Sequence, residues 1–191
     1  MYKIVTIKDK IKVTPEKLGL PAREAIEKVI EETLEGKIDS KNGLIYLSLF
    51  SIEKIEEGKI YPADPNVYYQ TTFKMLVFKP ELNELVIGEV VDNTEFGSFV
   101  RMGPIDGLVH ISQLMDDYVS FDKKNSVFLG KQTKKTLKIG DKVLARIISV
   151  SWKEQNKIGL TMRQQGLGAL HWFKKKWWVW KDYKLAESAK D

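Results

Sequence analysis

The chain has no cysteine and only two histidines in 191 residues. Lack of cysteine removes disulfides, thiolate nucleophiles and Cys-based zinc sites together. Two histidines leave few general bases or metal ligands, and in the second half adjacent carboxylates occur only at Asp116-Asp117 among scattered acids, thin provision for metal-assisted phosphoryl chemistry. An enzyme with its own active site is therefore disfavoured, and no metal or cofactor is expected. No apolar run approaches the roughly 20 residues needed to span a bilayer. The start, MYKIVTIKDK, spaces lysines along itself without a small-residue cleavage site, so no secretory signal and no membrane partner are expected. A cytoplasmic location is the expectation.

What is present is ordinary in bulk and uneven in placement. Apolar residues make up 43% and charged residues 30% of the chain, as in a folded domain or two small ones. The formal charge is +5. Residues 1–82 carry 13 basic and 13 acidic side chains, while residues 83–191 carry 18 and 13. The whole excess sits in the second half, which suggests that this half faces a polyanion.

Residues 1–80 read β–α–β–β–β, one helix over a sheet. YKIVTIKDKIKV alternates Val5, Ile7, Ile11 and Val13 against Tyr2, Thr6 and lysines, the period of a half-buried strand. Thr14-Pro15 predicts a capped helical turn. From Pro21, Ala25, Ile26, Val29, Ile30 and Leu34 recur at helical spacing up to Gly36. Asn42-Gly43 predicts a two-residue hairpin and TTFKMLVF a further strand. Between them EEGKIYPADPNVYY reads as an apolar loop stiffened by Pro62 and Pro65, of a kind that docks on something. The domain boundary is placed at Lys79–Asn83, where Pro80 disfavours helix before it.

Residues 81–165 read as five short apolar-rich runs joined by turns, with glycines at the bends: LVIGEVVD, FGSFVRM, GLVHISQL, LKIGDKVLARIISVS and KIGLTMR. Size and strand count fit an OB-fold β-barrel, making the whole chain α+β. Phe96 and Phe99 are three apart in FGSFV, and a bulge or bend at Gly97 would bring both rings to one open face as stacking platforms for unpaired bases. His110 is placed to join them, and Arg101, Lys142, Arg146 and Lys157 supply charge for phosphates. MDDYVSFDKKNSVFLGKQTKK reads mostly as a solvated loop. Residues 166–191 form a basic aromatic tail, with Trp172, Phe173, Trp177, Trp178 and Trp180 around Lys174–Lys176; stacking on nucleic acid, an interfacial membrane helix or docking on the protein itself would each suit it.

GEVVDNTEFGSFVRMGPIDGLVHISQL, LKIGDKVLARIISVS and KIGLTMRQQGLG resemble the S-one RNA-binding motif. Joined to MYKIVTIKDKIKVTPEKLG and YYQTTFKMLVFKPELNELVIGEVVD, they resemble the larger of the two stalk subunits of archaeal DNA-directed RNA polymerase, over about residues 1–170. The resemblance implies a truncated ribonucleoprotein-like N-terminal domain followed by the barrel. It implies a heterodimer with the smaller stalk subunit. It also implies docking to the core polymerase through a loop end that here includes Gly58, Ile60, Tyr61, Pro62, Pro65 and Val67, and a barrel that faces nascent single-stranded RNA. Phe96, Phe99 and His110 match the motif's contact residues and Lys157 falls near its basic position. Ser151 stands where the motif carries an acid, which implies weaker and less specific binding.

Overall fold

The structure, a computed structural model, describes residues 1–152 and 157–173. Trp177, Trp178, Trp180 and Lys174–Lys176 of the tail lie outside the described residues. By its own contacts the chain divides into a unit built on Met1–Glu81 and a second that begins at Leu82. Among the described residues no helix is long and apolar enough to cross a membrane.

In the first unit, strand β1 (Tyr2–Val13) leads through a short 3₁₀ turn to helix α1 (Ala22–Leu34). Strands β2 (Ile38–Asp39), β3 (Leu44–Ile55), β4 (Lys59–Ile60) and β5 (Val67–Phe78) follow. The antiparallel sheet runs β1-β5-β3-β2, with β4 also on β5. The alternation in β1 does what its pattern predicts: Ile11 and Val13 are buried, and Val5 and Ile7 pack partly buried beside them. The helix turns Ala25, Ile26, Val29 and Ile30 into the same core, where they meet Ile52, Phe73, Met75 and Val77. Each fully buried Ile or Phe there contributes about 1.5–3 kcal/mol of transfer free energy.

Three expectations for this unit need correction. Thr14 precedes the 3₁₀ turn but its hydroxyl makes no capping bond. The Asn42-Gly43 turn is a four-residue loop, because Asp39 and Leu44 form the last pair. The Asp39 carboxylate captures the backbone N–H of Lys41 (3.0 Å) and Asn42 (3.1 Å) and the Asn42 amide (2.7 Å), so the strands stop two residues early. Finally, β5 starts at Val67, so Val67 to Gln70 belong to a strand and only residues 61–66 form the loop tip.

The second unit holds β6 (Leu85–Thr94), β7 (Gly97–Arg101), β8 (Asp106–His110), β12 (Lys142–Ser151) and β13 (Lys157–Thr161), with β9 (Val119–Asp122), β10 (Val127–Gly130) and β11 (Thr136–Leu137) inserted after β8 and β14 (Gly168–Ala169) at the end. The order β13-β8-β7-β6-β12 closes on itself through β12–β13, and β8–β13 is the parallel pair. This is the five-stranded OB-type barrel. Val86, Val90, Val100, Val109, Val143, Ala145, Ile147, Ile158 and Leu160 point inward and are buried.

The insertion is not a solvated loop. β9, β10 and β11 form their own antiparallel sheet, in which Phe128 and Leu137 are fully buried and the Phe121 ring lies 4.9 Å from that of Phe128. Asp122 folds the β9–β10 turn by accepting from the Lys124 N–H (2.9 Å) and the Asn125 amide (2.6 Å). The described part of the tail docks on this sheet: the Trp172 indole N–H donates to the Thr136 carbonyl at 2.8 Å.

Candidate nucleic-acid interface

Strand register assembles a face on the outside of the barrel across β7, β8, β13 and β12. Phe99 stands opposite Leu108, Leu108 beside Gly159, and Gly159 opposite Ser149. One step along the strands, Arg101 stands opposite Asp106, and Lys157 opposite Ser151. One step the other way, Gly97 stands opposite His110. Alternation sends these residues outward while Ser98, Val100 and Val109 fill the interior. The face therefore has a ring at its centre, an imidazole at one end and, at the other, a row in which Arg101 and Lys157 flank Asp106.

Of the two routes expected for Phe96, a bulge or a bend, the structure shows the bend. The pair Thr94–Gly97 closes a two-residue hairpin, so Glu95 and Phe96 are the turn itself, and the irregularity in this ladder is an extra residue of β6 at Val91, opposite Val100 and Phe99. The Thr94 hydroxyl donates to the Gly97 carbonyl at 3.0 Å and fixes the turn. The Phe96 and Phe99 rings then meet edge to face, 5.9 Å between centroids at 90°, an arrangement the aromatic quadrupoles favour. Phe96 remains 51% exposed, whereas Phe99 is half-buried. Gly97 is required beneath them. A Cβ there would lie under 3.0 Å from the Val109 carbonyl oxygen and 3.0 Å from His110 Cα, both backbone atoms.

His110 is held at the end of β8 by its own neighbour. Ser112 donates its backbone N–H to Nδ1 (3.3 Å), and its Oγ lies 2.9 Å from the same nitrogen. An accepting Nδ1 places the ring proton on Nε2, leaving a donor for a base or phosphate. Arg101 Nε donates to Asp106 at 3.2 Å, with both side chains well exposed. Such a pair is worth little in water and can exchange its carboxylate for a phosphate. Lys157 is exposed.

Arg146 and Lys142 sit apart from the rings. Arg146 is opposite Thr161 on one side and Leu85 on the other, and its Nε is buried without a hydrogen-bond partner. Lys142 is opposite Glu89 on β6, which puts it beside a carboxylate and four residues from Arg146. The barrel's register thus brings Phe96, Phe99, Arg101, His110 and Lys157 together, sets Lys142 at the β12 end of the Arg101 row across Glu89, and leaves Arg146 outside the group.

In the first unit the residues from Gly58 to Val67 form the tip of the β4–β5 hairpin. Lys59 and Ile60 pair with Tyr68 and Val67. Lys10 clamps the tip: its ammonium lies 4.2 Å from the Tyr61 ring centroid, 4.6 Å from that of Tyr68, and donates to the Tyr61 hydroxyl at 2.8 Å. That bond holds the Tyr61 phenol below the usual tyrosine range. Asp64 accepts from the Tyr68 hydroxyl (2.7 Å) and the Asn66 N–H (3.0 Å), which lowers its own pKa and raises that of Tyr68. Pro62 and Pro65 bracket this network, and Gly58 lets Tyr69 and Val67 pack against the hairpin's entry. Ile60 is left 72% exposed at the tip. A rigid frame thus presents an apolar side chain to solvent.

Comparison with known proteins agrees with this division. The family described as S1 RNA binding domain matches residues 79–163, and that described as SHS2 domain found in N terminus of Rpb7p/Rpc25p matches residues 8–65. DNA-directed RNA polymerase subunit Rpo7 of Saccharolobus shibatae is 36% identical over 175 residues, covering 90% of this chain and 97% of that protein. The Sulfolobus acidocaldarius Rpo7 is 36% identical over 174 residues, 90% of this chain and 94% of that protein. DNA-directed RNA polymerase III subunit RPC8 of Bos taurus is 22% identical over 165 residues, covering 83% and 80%. Because similarity at this level runs through both units and nearly the full length of those subunits, the chain belongs to the Rpo7 family, accessory subunits of DNA-directed RNA polymerase with an S1-type RNA-binding barrel.

Proposed function

We propose that this chain anchors to the core polymerase through the hairpin tip around Ile60, forms the stalk as a heterodimer with the smaller stalk subunit, and holds nascent single-stranded RNA on the barrel face in the cytoplasm. The observation that carries the RNA reading is the convergence of the Phe96–Phe99 ring pair with the pinned His110 and the exchangeable Arg101. Stacking on rings and attraction to phosphates read little sequence, so the grip is general. Ser151 stands opposite Lys157, and the nearby carboxylate of Asp106 is paired with Arg101. The tip supports the docking reading in the same way, as a stiff presentation of one exposed apolar side chain.

The test is the affinity of the full chain for labelled single-stranded RNA between about 50 and 500 mM salt, where log affinity falls linearly with log salt for a phosphate-dominated grip. Joint replacement of Phe96, Phe99 and His110 by alanine abolishes the binding in a folded protein. A flat salt dependence, or unchanged affinity in that triple variant, removes the RNA reading. In cells, Ile60→Glu releases the chain from core polymerase while purified RNA binding is retained; ribosomes and no polymerase in the wild-type pull-down would overturn the docking reading.

A further inference from the structure

The inserted sheet has two unlike faces. Register places Val119, Phe121, Phe128, Gly130 and Leu137 on the packed face, and Ser120, Val127, Leu129 and Thr136 on the other. Continuing the same alternation, Tyr118 and Lys131 fall on the outer face, adjacent to each other: the Lys131 N–H donates to the Tyr118 carbonyl at 2.9 Å. Tyr118 is 73% exposed and Leu129 38% exposed. An aromatic ring beside a lysine on the open face of a small sheet is the same combination of groups found on the barrel.

The outer face is also charged in the right sense. Residues 115–135 carry five lysines, all exposed, and three aspartates. Each aspartate is engaged locally. Asp116 pairs with Arg163 at 3.0 Å. Asp117 accepts from the backbone N–H of Tyr118, Gln132 and Thr133 and from the Thr133 hydroxyl. Asp122 holds the β9–β10 turn. With Lys123 paired to Glu95 and Lys135 over the Trp172 ring, Lys124, Lys131 and Lys134 are left as exposed charge.

This sheet is continuous with the ring face. The Asn93 amide of β6 donates to the Ser126 carbonyl at 2.8 Å, and Lys123 pairs with Glu95 of the two-residue turn that carries Phe96. The hairpin end of the insertion is thus tied to the residue next to the exposed phenylalanine.

We propose that the outer face of the insertion is a second contact for single-stranded RNA, with Tyr118 stacking a base and Lys124 and Lys131 meeting phosphates, so that a strand leaving Phe96 continues over β9 and β10. The proposal rests on the barrel face being an RNA site and extends it. Tyr118→Ala is a mild probe, because the hydrogen bonds that tie this residue to Asp117 and Lys131 run through its backbone N–H and carbonyl.

The experiment compares RNAs of about 5 and about 15 nucleotides, lengths that bracket the reach of one and of more than one contact patch. For the unaltered full chain both bind. Tyr118→Ala leaves the short RNA unaffected and weakens the long one at least about fivefold, the loss of one stacked base, while Tyr118→Phe retains both affinities. Joint Lys124→Gln and Lys131→Gln lowers the log–log salt slope of the long RNA alone by about 1.4, two phosphate contacts. Long-RNA affinity indifferent to all these changes overturns the proposal while leaving the barrel reading intact. Failure of the unaltered chain to bind either RNA overturns both. If the lysine changes weaken polyglutamate as much as RNA and Tyr118→Ala changes nothing, the face is a charge patch for acidic chains and the assignment is wrong.

Discussion

Replacing Gly97 by alanine tests whether the ring face depends on backbone approach or only on side chains. The added Cβ would sit 3.0 Å from His110 Cα and closer still to the Val109 carbonyl oxygen, against 3.4–4 Å for ordinary contact. Both obstacles are backbone, so no rotamer change relieves them. Strands β7 and β8 must part by on the order of 1 Å, which takes an N–H···O=C bond of about 2.9 Å out of hydrogen-bonding range. Overpacking of this kind costs about 1–3 kcal/mol, and each ladder bond lost adds about 1 kcal/mol.

The parting also moves His110 relative to Phe96 and Phe99, since Gly97 is the partner of His110 in the ladder. Gly97→Ala therefore weakens RNA binding although it removes no contact group. The assay is amide hydrogen exchange resolved to the barrel strands, alongside RNA affinity at fixed salt. Exchange accelerates at β7 and β8, and protection of the first unit's core at Phe73 and Val77 is unchanged. Gly140→Ala is the comparison: its φ of +87° makes any side chain there strained, yet no atom lies within 4 Å of the added methyl, so it costs stability without moving the rings. Unchanged exchange and unchanged affinity for Gly97→Ala would refute the reasoning.

Three further outcomes follow from the same geometry. Phe96→Ala weakens RNA binding by about 1–3 kcal/mol with little loss of stability, whereas Phe99→Ala loses both because its ring is half-buried; equal stability losses in urea titrations would contradict this. Ile30→Ala, at a fully buried position on α1, destabilises the first unit by about 2–5 kcal/mol without altering RNA affinity, read by urea titration and anisotropy. Asp117 is pulled from 3.8 to about 2 by the Thr133 N–H and its other donors. A depressed folded pKa gives stability that is present above the unfolded value and is lost as pH falls through the folded one. The wild type therefore loses its advantage over Asp117→Asn between about pH 4 and pH 2, and parallel acid-unfolding curves would disprove it.

Local pattern carried much of this fold and closure carried the rest. The alternation of β1 and the spacing of Ala25, Ile26, Val29 and Ile30 are properties of single elements, and they are legible because one buried face imposes one period. The insertion hid its sheet because its packed residues, Phe121 and Phe128, are interleaved with five lysines and three aspartates that dominate any reading by composition. Asn42-Gly43 misled because a side chain upstream, Asp39, competes for the backbone donors of the turn. The motif strings named Phe96, Phe99 and His110, but neither their spacing nor their charge reveals that a hairpin turn, with no bulge at Gly97, brings Phe96 to Phe99. That depends on the Thr94–Gly97 pair.

The long-range pairing of β8 with β13 brings a distant cation into the row of Arg101. Arg101 and Lys157 are 56 positions apart, and only the parallel register through Gly107 and Ile158 puts them in one row. Lys142 carries the same charge and lies nearer to Lys157 in sequence, yet it meets that row from the opposite side, through Glu89, which pairs with both Lys142 and Arg101. Charge counted along the sequence makes the two lysines equivalent. On the reading proposed here their substitutions separate: Lys157→Gln lowers the salt slope of RNA binding and Lys142→Gln does not. A common effect of both would mean that the polyanion follows the net field of the barrel and not the rows its strands define.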